Sequence, residues 1–131
     1  MIVNIKNLLI LFLTGGVVYG SIEVLWRGFT HPAMFFAGGL SAIALLIIAI
    51  KMKKAHFLYR VIMGSLSITA IELVFGLVFN VTLQMKIWDY SALKFNFLGQ
   101  ICILFTVIWG FLCVAAIPLT EQLFYALQNR K

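Results

Sequence analysis

The sequence has few charged residues for its length. Only 11% of its 131 residues are charged and only four are acidic, whereas 63% are hydrophobic, and the mean hydropathy is +1.08. A water-soluble domain needs far more polar surface to cover its core. This shortage excludes an ordinary soluble protein and predicts a single integral membrane domain over residues 1–131.

Reactive motifs are also scarce. The two cysteines, Cys102 and Cys113, lie in one apolar segment about 16 Å apart along a helix, too far to pair with each other. No Cys/His spacing is typical of a metal site, no glycine-rich phosphate loop occurs, and no Ser, His and Asp pattern indicates a nucleophile. We therefore expect no cofactor, no metal and no enzymatic activity, with an intramembrane lipid-modifying enzyme as the third hypothesis behind the two given below.

Four long apolar runs cover residues 8–26, 33–50, 57–79 and 97–119. Each has the length that an α-helix needs to cross a hydrocarbon core of roughly 30 Å. Beyond Pro118, apolar residues recur at helical spacing over residues 119–129, which is typical of a short interfacial helix. The sequence predicts an all-α membrane protein with four transmembrane helices, an outer loop over residues 80–96 and a C-terminal amphipathic helix.

Basic residues give the chain a net charge of +6 and cluster between the apolar runs. The side with both termini and the second connection carries Lys6, Lys51, Lys53, Lys54, Arg60, Arg130 and Lys131. The opposite side carries Arg27, Lys86 and Lys94. By the positive-inside rule, this bias predicts cytoplasmic termini in a bacterial plasma membrane, with the lipid bilayer and not nucleic acid as the partner of the basic residues.

Two glutamates, Glu23 and Glu72, occur inside apolar runs. A carboxylate at membrane depth costs roughly 2.5 to 3.5 kcal/mol on insertion scales, so it usually faces a protein interior, a water-filled cavity or an opposite charge. Small residues precede both glutamates at the same helical spacing: Gly16 and Gly20 before Glu23, and Ser65 and Thr69 before Glu72. This pattern favours close helix packing around the carboxylates and leaves open a duplication of two parallel helical hairpins.

Other polar residues are expected at a similar depth in the outer half of the bundle. We predict that Arg27, Asn80, Asn96 and Gln100 complete a site around the glutamates, with Asn96 and Gln100 four apart at the start of the last helix. Two hypotheses follow from such a site. It binds an ion, a proton or the cationic group of a substrate, or it fixes helix register in a non-transporting adaptor or assembly protein that recruits a larger partner.

Several short motifs together resemble a known family. In chain order they are Ile22-Glu23, Arg27-Gly28, Thr30-His31, Met34-Phe35, Gly38-Gly39, Ala70-Ile71-Glu72, Asn80, Trp88-Asp89-Tyr90-Ser91, Asn96 and Gly99-Gln100-Ile101-Cys102. They are similar to motifs of the small bacterial membrane proteins called putative ABC-transporter type IV, or CmpB-like, and the likeness covers about residues 19–109. The resemblance implies a permease role.

The most specific of these motifs lies in the outer loop. We expect Asp89 to cap a short turn there, with Trp88 and Tyr90 anchoring the loop at the membrane interface and His31 lying near the same level. The sequence as a whole predicts a small transporter, channel or permease-like subunit for an ion or small solute. It also predicts a homodimer, because four short helices enclose little room, and leaves open a separate ATPase.

Overall fold

Four long helices make up most of the chain in the computed structural model, which describes residues 4–28 and 30–129. The helices are α1 (Ile5–Arg27), α2 (Pro32–Lys51), α3 (Phe57–Phe75) and α4 (Ile103–Gln128). A π-helix, Gly76–Thr82, continues α3. With that extension, all four are long and apolar enough to cross a membrane, which confirms the predicted fold class.

The helix boundaries follow local capping chemistry. The side chains of Asn4, His31 and His56 each accept a hydrogen bond from the backbone N–H two residues later, at the starts of α1, α2 and α3. Gly28 ends α1 in the left-handed conformation, with φ +85°, a conformation that L side chains rarely adopt. These caps satisfy backbone groups that a helix end otherwise leaves without partners.

The helices alternate in direction, so each end of the bundle has its own set of contacts. At one end, here called the loop end, Arg27 Nη1 donates to the Ile87 carbonyl at 2.8 Å. At the other, here called the terminal end, Lys53 Nζ donates to the Tyr125 hydroxyl at 3.4 Å. Helix α1 packs mainly on α2, and α3 packs on both α2 and α4, whereas α1 and α4 contact each other little.

Glycines allow α1 and α2 to approach closely. A Cβ atom at Gly15 would lie 2.5 Å from the Ala42 Cβ and 2.7 Å from the Gly38 carbonyl oxygen. A Cβ atom at Gly16 would lie 2.8 Å from the Phe35 carbonyl oxygen. Because such contacts leave no room for a side chain, the backbones themselves form this crossing, as small residues allow in membrane bundles.

The last span begins later than predicted. Residues 96–102 form a small hairpin in which β1 (Asn96–Phe97) pairs antiparallel with β2 (Ile101–Cys102), so α4 starts at Ile103 and not at residue 97. Gln100 therefore lies in the hairpin turn and not on the last helix. The turn is stabilised from outside the apolar run, since the Gly99 N–H donates to Asn96 Oδ1 at 3.0 Å.

The predicted interfacial helix over residues 119–129 is not confirmed. Helix α4 continues through Pro118 to Gln128, because tertiary packing buries Ile117 and Phe124 on either side of the proline. A proline is tolerated inside a membrane-spanning helix when neighbouring groups compensate for the lost backbone bond. Arg130 and Lys131, which contributed to the predicted orientation, lie outside the described residues, and the hairpin duplication stays a prediction.

Candidate functional site

Glu23 lies near the loop end of α1 and is turned inward. The residue is only 9% exposed. Its Oε2 accepts a hydrogen bond at 2.6 Å from Nε of Arg27, which lies one helical turn later. The same guanidinium donates to the Ile87 carbonyl at 2.8 Å. The ion pair therefore connects α1 with the loop that follows the π-helix.

Glu72 lies in α3 and is also inward-facing, with 6% of its surface exposed. Its Oε2 accepts a hydrogen bond from the Tyr90 hydroxyl at 2.8 Å, and its Oε1 accepts one from the Trp109 indole N–H at 3.4 Å. The donors come from the loop and from α4, respectively. One carboxyl group thus joins three parts of the structure through hydrogen bonds.

The two glutamates belong to one neighbourhood and do not lie on opposite flanks. Tyr19 lies between them, because it lines one cavity together with Glu23 and a second, smaller cavity together with Glu72. A cavity of about 190 Å³, here called the site cavity, is lined by Glu23 and Arg27. Glu72 is one layer away, because both of its hydrogen-bond donors, Tyr90 and Trp109, line the same cavity.

Most of the site cavity is aromatic. Its lining includes Tyr19, Trp26, Trp88, Tyr90, Phe105 and Trp109. The Tyr90 and Phe105 rings stack with their centroids 4.8 Å apart, and the Tyr19 and Trp109 rings meet edge to face at 5.8 Å. Six aromatic rings thus lie around a cavity that Glu23 also lines, and aromatic rings beside a carboxylate are typical of sites for organic cations.

Asn80 and Gln100 lie together, but they do not line the site cavity. Asn80 is in the π-helix, where it donates through Nδ2 to Gln100 Oε1 at 2.9 Å and accepts through Oδ1 from the Ile87 N–H at 2.7 Å. Gly76 allows Gln100 to pack against the π-helix, since a Cβ atom there would lie 2.6 Å from Gln100 Oε1. The pair holds the loop against α3 instead of meeting the glutamates as predicted.

Asn96 lies farther out, in the loop. Its Nδ2 donates to the Leu93 carbonyl at 2.8 Å, and its Oδ1 accepts from the Gly99 N–H at 3.0 Å. The site hypothesis placed Asn96 on the last helix within reach of Glu72, whereas these bonds use its side chain to shape the hairpin. Local bonding explains the difference, because Asn side chains readily satisfy nearby backbone groups.

Asp89 caps a turn at the loop surface. Its Oδ1 accepts from the Ser91 N–H at 2.9 Å, and the Ser91 hydroxyl also donates to it. Hydrogen bonds from that hydroxyl and then from the N–H hold the pKa of Asp89 below its ordinary value, so the exposed side chain stays ionised. Asp89 thus has a structural role, and it does not line the site cavity.

Trp88 and Tyr90 were expected at the membrane interface, yet both point into the protein. Trp88 is buried against Ala33 and Met34, and its indole N–H donates to the Gln100 carbonyl at 3.0 Å. Burial, and then the nearby carboxylate of Glu72, raises the pKa of Tyr90, which keeps the phenol a neutral donor. Both side chains find polar partners inside the bundle, which removes the need for interfacial water.

His31 does not join the glutamates. Its Nδ1 accepts a hydrogen bond from the Ala33 N–H at 3.0 Å and caps α2. Within residues 4–28 and 30–129, no group of three His, Cys, Asp or Glu side chains could hold a metal ion. The charged part of the site therefore consists of Glu23, Arg27 and Glu72.

Sequence reasoning missed the aromatic half of the site. Tyr19 precedes Glu23 by four residues, and Phe105 precedes Trp109 by four, so each pair lies on one face of its helix. The signal was available in that spacing beside an intramembrane carboxylate. It is weak alone, because aromatic residues are frequent in membrane spans.

The two most specific sequence motifs of the loop are also in contact with each other. The Tyr90 N–H donates to the Gly99 carbonyl at 2.7 Å, in addition to the bond from Trp88 to Gln100. Gly99 has φ +72°, and a Cβ atom there would lie 2.7 Å from the Ser91 hydroxyl, which favours glycine at this position. The residues 88–91 and 99–102 thus form one structural unit that covers Glu72.

Comparison with known protein families gives a match over most of the chain. Residues 10–130 match the model of the family described as "Putative ABC-transporter type IV". No curated protein and no solved structure matches the chain.

Proposed function

Because the chain belongs to the family described as "Putative ABC-transporter type IV", we propose that it is a small transporter, channel or permease-like subunit for an ion or small solute. Its four apolar helices fit a multi-pass membrane protein of this kind. The proposed binding site lies at the loop end of the bundle and is built around Glu23 and Glu72.

One observation supports this proposal most strongly. Two carboxylates and one guanidinium lie within a bundle that has few charges, and a cavity of about 190 Å³ adjoins them. Ionisable groups at membrane depth are costly and usually mark pathways or binding sites. In the proposed mechanism Glu23 contacts the ligand, Arg27 modulates the charge of Glu23, and Glu72 adds a second negative charge behind Tyr90 and Trp109.

Asn80, Gln100 and Asn96 have a different role in this proposal. Their hydrogen bonds hold the loop and hairpin in place, so they support the site and do not line it. Tyr90 then connects the loop directly to Glu72, the carboxylate behind the site cavity. A shift of the loop would change the surroundings of Glu72, which couples the site to access from the loop end.

A second candidate function has its own support. Both glutamates already have hydrogen-bond donors, and satisfied polar groups can serve as connections between helices. This favours a non-transporting adaptor or assembly protein that recruits a larger membrane partner through its loop. The lipid-modifying enzyme has no comparable support, since Asp89 and His31 each cap a local backbone segment, and the absence of enzymatic activity stays a prediction.

Location and assembly are part of the proposal. We place the protein in a bacterial plasma membrane with both termini cytoplasmic, as a homodimer, with a separate ATPase left open. The orientation is tested with Lys54→Cys and Lys86→Cys, each introduced alone into a variant whose two native cysteines, Cys102 and Cys113, are replaced by alanine. An impermeant maleimide added to whole cells should label the cysteine at 86 only, and the reverse pattern would overturn it.

Transport is tested in proteoliposomes with Glu23→Gln, Glu72→Gln and a matched control, Glu121→Gln. The control removes a carboxylate near the terminal end, where Glu121 Oε2 lies 3.8 Å from Arg60 Nη1 in a long ion pair. Uptake of rubidium, protons and tetramethylammonium is measured, and any of these that the wild type takes up should enter about tenfold or more slowly in both site variants and at an unchanged rate in the control. Absence of uptake by the wild type, or unchanged uptake in both site variants, would favour the adaptor.

A further inference from the structure

A second cavity continues the site cavity toward the terminal end. It is a groove of about 240 Å³ between α1 and α4, where these helices contact each other little. The groove and the site cavity share three lining residues, Tyr19, Ile22 and Trp109. The two spaces are therefore adjacent compartments of one elongated feature, with the charged groups at its loop end.

The groove is apolar along its length. Leu11, Leu45, Leu112 and Leu123 line it. Two of the hydroxyl groups in its lining are directed to their own helices, since Thr14 donates to the Ile10 carbonyl at 2.7 Å and Ser41 donates to the Ala37 carbonyl at 2.8 Å. Such a lining suits a hydrocarbon chain and offers little to a hydrated ion.

The site cavity suits a cationic head. Its lining combines six aromatic rings with the Glu23 carboxylate and the Arg27 guanidinium, and Glu72 lies one layer behind Tyr90 and Trp109. Arg27 also lines this cavity, and hydrogen bonds to Glu23 Oε2 and to the Ile87 carbonyl fix the position of its guanidinium. A hard inorganic cation needs several oxygen ligands, whereas an aromatic lining beside a single carboxylate favours an organic ammonium ion.

We propose that the ligand is a monovalent organic ammonium ion with an alkyl chain, its head in the site cavity and its chain in the groove. This inference rests on the proposed function and names the substrate class of the same site. The size is compatible, because the 190 Å³ of the site cavity exceeds the roughly 150 Å³ of an engineered cavity that holds benzene. A trimethylammonium head is comparable with benzene in bulk.

The native tryptophans allow ligand binding to be measured by intrinsic fluorescence. All three tryptophans of the chain, Trp26, Trp88 and Trp109, line the site cavity, so intrinsic fluorescence reports on its occupancy. Purified protein in nanodiscs is titrated with tetramethylammonium and with octyltrimethylammonium. Octyl sulfate and octyl glucoside carry the same chain on an anionic and a neutral head and serve as ligand controls.

The expected result separates head from chain. Octyltrimethylammonium should bind roughly tenfold or more tightly than tetramethylammonium, because the groove buries its methylenes, while the sulfate and the glucoside should give no saturable change. Ala115→Phe fills the groove from α4 and should reduce the affinity for the octyl compound to that for tetramethylammonium. Val114→Phe, which places the same ring at an exposed neighbour outside the groove lining, should bind like the wild type.

Glu23→Gln tests the charge. It should weaken binding of both ammonium ions by about tenfold or more. Equal binding of the octyl compound to Glu23→Gln and to the wild type would show partition into lipid and overturn the inference. Glu23-dependent binding of tetramethylammonium or rubidium with no gain from the alkyl chain would overturn the ligand class and leave the proposed function standing, whereas no binding of any cation would overturn both.

Discussion

The hydroxyl of Tyr90 donates a 2.8 Å hydrogen bond to Glu72 Oε2, and this bond joins the loop to the third helix. The same ring stacks on Phe105 at 4.8 Å, so the loop is connected to α4 as well. Because burial and the neighbouring carboxylate raise the pKa of Tyr90, the phenol remains a donor at ordinary pH. The position of the loop and the solvation of Glu72 are thereby linked.

Removing this single hydroxyl should destabilise the protein. Tyr90→Phe keeps the stacked ring but leaves Glu72 with only the longer 3.4 Å bond from Trp109. We expect a loss of about 1 to 3 kcal/mol in the free energy of unfolding, the typical cost of an unsatisfied buried acceptor. Denaturation in mixed micelles measures this loss. Tyr59→Phe, at an exposed position on α3, should change stability by less than about 0.5 kcal/mol. Equal stability of Tyr90→Phe and the wild type would refute the link.

A methyl group at Gly76 should disturb the junction of loop and helix. In Gly76→Ala the new Cβ would lie 2.6 Å from Gln100 Oε1 and 2.8 Å from the Gln100 Cβ. Gln100 must therefore shift, which disturbs its hydrogen bond from Asn80. We expect about 1 to 3 kcal/mol of destabilisation, as is typical of overpacking. Gly110→Ala meets only Ser65 atoms at 3.8 Å and should be neutral or slightly stabilising. If both variants unfold alike, the close contact at Gly76 has no energetic importance.

The four spans were predictable because the signal is local. An apolar run of sufficient length must form a helix to satisfy its backbone in lipid, whatever the rest of the chain does. The start of α4 was not predictable in this way. Residues 97–102 are largely apolar, yet bonds from Asn96 and Tyr90 fold them into a hairpin, and an apolar run carries no sign of such partners.

The candidate site shows the same division. Glu23, Glu72 and Arg27 were identifiable because charges inside apolar runs are rare and must face inward. The hydrogen bond between Tyr90 and Glu72 joins two residues from different elements, so it can be identified only in the folded structure. The predicted contacts with the glutamates are not made by Asn80, Asn96 or Gln100. Their side chains instead form hydrogen bonds with each other and with nearby backbone groups.

Asn80 should control how firmly the loop is closed. Its Oδ1 accepts from the backbone N–H groups of Ile87 and Trp88, at 2.7 and 3.4 Å, and Asn80→Ala removes both bonds. We expect the loop to open more often, which exposes Cys102, now 3% exposed, and raises its rate of maleimide labelling by about tenfold. Mass spectrometry locates the label, and Cys113, fully buried in the core of the bundle, should remain unlabelled.

The control for this labelling experiment is Ser67→Ala. Ser67 donates only to the Met63 carbonyl one turn earlier on α3, so its loss leaves the loop contacts intact. The labelling rate of Cys102 should then match that of the wild type. An unchanged rate in Asn80→Ala would mean that Gln100 and the hairpin close the loop without Asn80.

The Glu23–Arg27 pair allows structure and function to be separated by a double-mutant cycle. Its side chains are 11% and 22% exposed, so removing one partner leaves the other charge poorly solvated, at a cost of about 1 to 3 kcal/mol or more in the free energy of unfolding. The double variant Glu23→Gln with Arg27→Gln removes both charges together and should recover part of that stability. The recovery should be incomplete, because the hydrogen bond from Arg27 to the Ile87 carbonyl is also lost. Cation binding, followed by tryptophan fluorescence, should remain lost in the double variant, since its carboxylate is gone. Recovery of binding together with stability would show that Glu23 acts only as the structural partner of Arg27, because the site would then work without its charge.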